Sequence, residues 1–500
     1  QLYPHWELCV ADDASTHAEV LALLKETAQK DPRVRVVFRS ENGHISAASN
    51  SALQLATGEF IGFLDHDDVL APHALAAVVE RLNRFPQTDL VYSDEDKIDA
   101  FGRRFDPHFK PDWNLELLCA KNYVCHFSVY RASCLREIGG FREGTEGSQD
   151  YDLLLRFSER TRADRIQHIA QILYHWRAIP GSVALAAEEK NYAHERGREA
   201  VRQHLNRKGI SATVSRGFGN MHRVSYALPD SLPGVSVIIP TRDRGDLLQK
   251  IVEGVLRQTD YPLIEVLIVD NQTSDPGTLD YFRKAKQDSR VRILRYDAPF
   301  NYSAITNFAM SETQYPLLAL LNNDLQVQSA GWLKEMVSLA LQPSVGCVGA
   351  KLLYPDGRIQ HAGVYLGIGG VADHLYRYFP ADSSVAQGAI QLRAEVSAVS
   401  AACLVVRKEV FEEVGGFEEQ NLGVAYNDVD FCLKARRAGY RNIWTPEAIL
   451  VHCESASRGS DAEGEARQRL NREATWMKQR WGRELEVDPA YNPNLTLASP

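Results

Sequence analysis

The sequence has no apolar run near the roughly 18 residues that cross a bilayer, and no charged-then-apolar opening of the kind that marks a secretory leader. It has no CxxC pair: its eight cysteines are scattered, and the loose group Cys119, Cys125 and Cys134 lacks metal-site spacing. They read as free thiols of a reducing cytoplasm. No GxGxxG follows a strand and no Walker A sequence occurs, so hydride transfer and P-loop chemistry are unsupported. "GIGG" at 367–370 is too short for a dinucleotide fingerprint, and the glycine of "SDEDKIDAFG" falls wrong for a calcium loop. There is no basic stripe. The formal charge is −9 and the pI about 6.0, which argues against a nucleic-acid partner.

What is present is ordinary in composition, 44% hydrophobic and 24% charged over 500 residues, too long for one core. It is also internally repeated. "QLYPHWELCVADDAST" aligns with "QTDYPLIEVLIVDNQTS", "NGHISAASNSAL" with "NYSAITNFAM", and Asp67 with Asp324, all about 257 positions apart. Further on, "REIGGF" aligns with "EEVGGF", "QDYDLLLR" with "NDVDFCLK", and His175 with His452, at offsets about twenty larger. Two copies of one fold follow, the second carrying an insertion around "YPDGRIQHAGVYLGIGG". Apolar β-branched runs alternate with helical patterns in both, which is βαβ reading and implies mostly parallel sheets covered by helices. The second copy opens on "GVSVIIPTRDRGDLLQKIVEGVLRQ", a strand, turn and helix without counterpart in the first. The first domain is therefore expected to lack its opening strand and helix. Because the chain starts at Gln1 without methionine, sequence is expected to precede it. The expected organisation is a first domain over 1–205, a linker over 206–233, a second domain over 234–458, and a C-terminal helix and tail over 459–500.

Acidic and amide residues gather at expected strand ends: Asp12 and Asp13, Asp65, Asp67 and Asp68 in "FLDHDD", Asp270, and Asn322 to Asp324 in "LLNND". In open α/β sheets ligands bind beyond those ends. Converging carboxylates repel unless a cation lies among them, and oxygen donors favour Mg²⁺ or Mn²⁺, which takes further ligands from substrate phosphates. A lone DxDD after a strand is an ordinary solvated turn. The matched last aspartate in both copies is what points to a site.

"VSVIIPTRDR", "LIVDNQTSD", "FLDHDD", "LLNND", "GGF…QDYD", "GGF…NDVD" and the late histidines together resemble family 2 glycosyltransferases of the GT-A fold, over almost the whole chain and twice. "FNYSAITN", "YPDGRIQHAGV" and "DPAYNPNL" further resemble bacterial enzymes of O-antigen or rhamnose-rich surface polysaccharide synthesis. The resemblance implies two tandem Rossmann-like domains that move sugars, rhamnose among the candidates, from nucleotide-diphosphate donors to a glycan or lipid-linked glycan, with inversion. It implies a metal held by Asp67 and His175 in the first copy and by Asp324 and His452 in the second. Asp65 would help in the first copy, by ligation or at the ribose, while in the second copy its place at the donor is taken by Asn322, a departure from DxD. The catalytic bases would be Asp150 and Asp428, each beside an amide (Gln149, Asn427) where the family has Glu, and each near a helix start. Donor contacts would come from Asp12, Asp13, Asn50, Pro240, Thr241, Arg242, Asp270, Asn271, Asn301, Asn307 and Asn323; acceptor contacts from Trp113 and His361. Asp152 and Asp430 are expected to be structural or acceptor-binding. The alternatives are one catalytic copy with a degenerate glycan-binding or scaffold copy, and a polysaccharide-binding protein without activity. The chain is expected in the cytoplasm, at the inner membrane face if its acceptor is lipid-linked. Its "RQRLNREATWMKQRW" helix would lie either on headgroups or on its own domain.

Overall fold

The computed structural model describes residues 1–178, 191–453 and 464–498, and the boundary expected at 458 lies outside them. The chain forms two compact units: Gln1–Trp113 with Leu118–Val224, and Asn114–Leu117 with the chain from Ser225 onward.

The second unit holds the fuller sheet. Its main path runs Val291–Arg295, Ile264–Asp270, Val235–Thr241, Leu317–Leu321, Cys403–Arg407, Val345–Leu353, Arg441–His452, Leu325–Val327. The first four strands are parallel. Cys403–Arg407 is antiparallel to both neighbours, and Val345–Leu353 runs parallel to Arg441–His452. Ile264–Asp270 and Leu317–Leu321 are buried at every residue, the signature of strands covered on both faces. Between them, helices start where the sequence supplies caps. Asp275 accepts the Thr278 amide ahead of Pro276–Ala285, and Asn301 accepts the Ala304 amide ahead of Tyr302–Ser311. By this topology Thr241, Asp270, Asn322–Asp324, His452 and the residues just before Cys403 all come to one rim.

The first unit repeats that order with one strand missing. Among the described residues Leu8–Asp12 pairs only with Val34–Phe38, while Phe60–Gly62, Ser128–Arg131, Leu90–Ile98, Ile166–Arg177 and Val69–Leu70 form a separate sheet. In the second unit Val235–Thr241 bridges the corresponding pieces; among the described residues the first unit has no such strand. The cost is visible locally. Ile264–Asp270 is wholly buried, whereas its counterpart Leu8–Asp12 buries only Asp12, and the helix Ala18–Lys30 buries nothing.

The expected linker over 206–233 contains two strands, Ala212–Arg216 and His222–Tyr226, paired with each other. His222, Val224 and Tyr226 are buried at alternate positions, a period-2 signal hidden among Gly and Ser, and Val214 is buried in the partner strand. The helix Gly464–Trp481 packs on the second unit: buried Trp481 donates from Nε1 to Asp430 (2.9 Å), and Glu473 accepts the amides of Val424 and Ala425. Among the described residues no helix is long and apolar enough to cross a membrane. All eight cysteines are unpaired.

Candidate functional site

In the second unit the rim is built by strand ends. Asp324 follows Leu317–Leu321, and His452 ends Arg441–His452 opposite Leu325. His452 Nε2 lies 3.2 Å from Asp324 Oδ1 and 3.3 Å from Asn322 Nδ2. Both residues are buried, yet Asp324 Oδ1 and His452 Nδ1 make no hydrogen bond. A buried carboxylate oxygen left so is costly, and an oxygen with an imidazole nitrogen beside it is a donor set that fits a divalent cation. Asn323 turns away, donating to Thr241 Oγ1 at 3.0 Å. Asp428 stands in the first turn of Asn427–Arg437. Its Oδ2 accepts the Ala401 amide (3.0 Å) and its Oδ1 the Val429 amide (2.9 Å). Burial pushes its pKa up, against the opposing pull of these amides.

The first unit arranges the same rim differently. Asp65, Asp68 and His126 bring one ligand atom each within 4.8 Å of one another. Asp68 is held by the Tyr174 hydroxyl and by the Arg177 amide (2.7 Å), and the Arg177 Nε–H fixes the Asp67 carbonyl (2.6 Å). His126 stacks on Tyr174 at 4.7 Å. Burial and mutual repulsion raise the pKa of Asp65; burial is the main cause at Asp68. For His126 burial acts downward, but Cys125, Glu95 and Asp65 outweigh it and hold the imidazole well above its ordinary value. His175 Nδ1 meets Asp96 Oδ1 at 2.5 Å, and Asp67, outside the group of three, points a partly exposed carboxylate toward His66. Asp150, in the first turn of Gln149–Ser158, accepts from Asn122 Nδ2 at 2.8 Å.

The strand registers align the two rims. Phe60 pairs with Arg131 as Leu317 pairs with Arg407. Asp65, Asp68 and His126 thus correspond to Asn322, Leu325 and Ala402. Asp96, opposite His175, corresponds to Leu353, so no acid draws His452 away from Asp324 there.

The remaining expected donor residues take several places. Asp12 and Asp270 accept the amides three residues on, Ser15 (3.2 Å) and Thr273 (2.9 Å), and Asp270 also pairs with Arg295 (2.7 Å). Asp13 pairs with Arg39. Asn271 donates to the carbonyls of Tyr296 and Ala298. Asn301 caps its helix and donates to the Glu419 carbonyl. Pro240 lies within its strand opposite Val269, and Arg242 is exposed just past the strand end. Asn50 and Asn307 engage both amide ends on backbone: Asn50 brackets Phe141 (2.8 and 2.9 Å) and Asn307 brackets Phe417 (2.9 and 2.9 Å). These contacts need the preceding glycine, since a Cβ on Gly140 or Gly416, both at positive φ, would lie 2.5 or 2.7 Å from the asparagine oxygen. Trp113 is half-buried and His361 fully buried. Asp152 and Asp430 are buried among Arg142 and Arg156, and among Lys434, Arg480 and Trp481.

His126, Tyr174, Arg177 and Asp96 are rim residues that sequence reasoning missed, as it missed His374 and Ser400 in the second unit. Tyr174 and Arg177 flank His175 in "ILYHWR" and could have been marked by that adjacency. His126 carries no local signal, because its neighbours come from other strands.

The family model for glycosyl transferase family 2 matches residues 1–139 and 236–415, ending before both Asp150 and Asp428. An uncharacterized protein, y4gI, of Sinorhizobium fredii is 50% identical over 99% of this chain and 55% of its own length. The O-antigen biosynthesis protein RfbC of Myxococcus xanthus is 40% identical over 100% of this chain and 38% of its own. The chain thus spans about half or less of these relatives. Among solved structures, the mannosyltransferase PcManGT of Pyrobaculum calidifontis, in complex with GDP-Man and Mn²⁺, is a distant likeness, with a TM-score of 0.39 and 19% identity over 54% of this chain and 70% of that one. With well over half its residues inside the family model, the chain belongs to glycosyl transferase family 2.

Proposed function

We propose that the chain moves sugars, rhamnose among the candidates, from nucleotide-diphosphate donors to a growing surface polysaccharide, with inversion and with Mg²⁺ or Mn²⁺, one site per unit. The observation that carries this reading is the second rim. A buried Asp324–His452 pair with unbonded atoms stands at the strand ends, on the same rim as Asp428 at a helix start. A bound cation would supply charge against the departing diphosphate. It would be held by Asp324 and His452 in the second unit. In the first, Asp65, Asp68 and His126 are grouped for it, with Asp67 and His175 as the family's positions. Asp428, and Asp150 in the first unit, accept the acceptor hydroxyl proton as its oxygen bonds to the anomeric carbon; the carbon–phosphate oxygen bond breaks and the nucleoside diphosphate leaves with the electron pair. The amides at Ala401 and Val429 hold Asp428 in place for this step. Similarity to an O-antigen biosynthesis protein supports a surface polysaccharide as product, and a lipid-linked acceptor would put the reaction at the cytoplasmic membrane face.

A second reading, one catalytic unit and one glycan-binding unit, is favoured by the replacement of Asp65, Asp68 and His126 by Asn322, Leu325 and Ala402. Asp150→Asn and Asp428→Asn, assayed separately for sugar transfer from a panel of nucleotide sugars with Mn²⁺, distinguish the two. Loss of one linkage per variant, by about 10²–10⁴-fold, supports two active sites. Loss in one variant alone supports the second reading, and no loss in either overturns both.

A further inference from the structure

The insertion that sets the second unit apart contains two histidines that touch. His361 ends the strand Ile359–His361, opposite Leu352, and His374 ends Ala372–His374, opposite Val364. The rings meet edge to face, with Nδ1 of each 2.7 Å apart. At that distance one nitrogen carries the hydrogen and the other the lone pair. The far side of His361 decides which. Its Nε2 accepts the Ser400 amide hydrogen at 3.4 Å. In a neutral ring an accepting nitrogen is bare, so the His361 proton is on Nδ1 and is donated to His374 Nδ1. The proton of His374 is then on Nε2, on the side facing away from His361. Both rings are neutral near pH 7: burial, chiefly, brings His361 down to about 3, and burial together with the neighbouring His361 holds His374 well below its ordinary value.

The pair is tied to the rim. Ser400 gives its amide to His361, and the next amide, Ala401, goes to Asp428. Unlike His361, His374 is only half-buried, and among the described residues nothing pairs with its Nε2. We infer that His361 is a positioning residue that locks His374 in its Nε2–H tautomer, and that His374 gives this hydrogen to a diphosphate oxygen of the donor in the second unit. The choice of diphosphate rests on the function proposed above and on the link through Ser400 and Ala401 to Asp428. Among the described residues the first unit has no equivalent pair.

The lock is tested without activity. The full chain is labelled with ¹⁵N-histidine, and the two rings are assigned from His361→Phe and His374→Phe. At pH 7 His361 Nδ1 and His374 Nε2 should show protonated shifts and their ring partners unprotonated ones. In His361→Phe the His374 shifts should move toward a tautomer average. A proton on His374 Nδ1, or a charged ring, overturns the inference. The donor role is read by calorimetry with UDP, GDP and dTDP in the presence of Mg²⁺. His374→Phe should weaken binding by about tenfold or more, His374→Gln should recover part of it, and His361→Phe should cost about twofold, the population lost to the second tautomer. Equal binding by wild type and His374→Phe overturns the donor role and leaves the proposed function intact. A wild type that binds none of the three overturns the proposed function together with the donor role, while the nitrogen shifts still decide the lock.

Discussion

Replacing Asn307 by Ala separates a scaffold role from a ligand role at a position where the sequence suggested donor contact. The side chain bonds the amide and the carbonyl of Phe417, each at 2.9 Å. Phe417 is buried, its ring stacked on Phe431 at 4.8 Å. The substitution removes two hydrogen bonds worth about 0.5–1.5 kcal/mol each and leaves buried backbone groups unsatisfied, so about 2–4 kcal/mol is at stake. For a unit of this size that lowers the melting transition by about 5–12 °C. Gly416→Ala should do comparable damage, because its Cβ would enter the space of Asn307 Oδ1 at a backbone φ of +63°. Asn50→Ala should weaken the first unit in the same way through Phe141. Scanning calorimetry of each variant, with the donor KM measured below the transition, provides the check. An unchanged melting profile with a raised KM would refute the scaffold argument and return Asn307 to the donor site.

Three further outcomes are expected. Because burial raises the folded pKa of Asp428, transfer by the second unit should fall on the acid side with an apparent pKa above the ordinary carboxylate value of about 3.9; a pH–rate profile flat down to that value would contradict it. The same sign makes the protonated carboxyl the form the fold prefers: the stability it contributes is full below the unfolded pKa and is lost as pH rises through the folded one. Asp324→Ala and His452→Ala should each weaken Mn²⁺-dependent nucleotide binding about 10-fold or more, and chelator should abolish binding in wild type; metal-independent binding would count against the cation site. In the first unit, His126→Ala should lower Mn²⁺ affinity if the group with Asp65 and Asp68 holds the ion, whereas His175→Ala, which takes away the partner of Asp96, should act less. The reverse order would restore the family's pair.

The sequence alone determined the duplication, the α/β class and the residue types at the rim, because these depend on period, spacing and strand ends that neighbouring residues carry. The break in the first sheet was also legible, as a strand and helix present once where the repeat expects them twice. The tertiary structure decided the pairing. Asp67 and Asp324 hold the same place in the repeat, but a remote acid, Asp96, faces His175 and a leucine stands in its place near His452. Asn50 and Asn307 were readable as polar residues on a helix near the site, but their engagement of Phe141 and Phe417 depends on contacts some 91 and 110 residues away. His126 and the His361–His374 pair were likewise out of reach. A hydrogen bond or a ligand group is fixed by atoms a few ångströms apart, and only the folded chain brings strands from distant parts of the sequence to that distance.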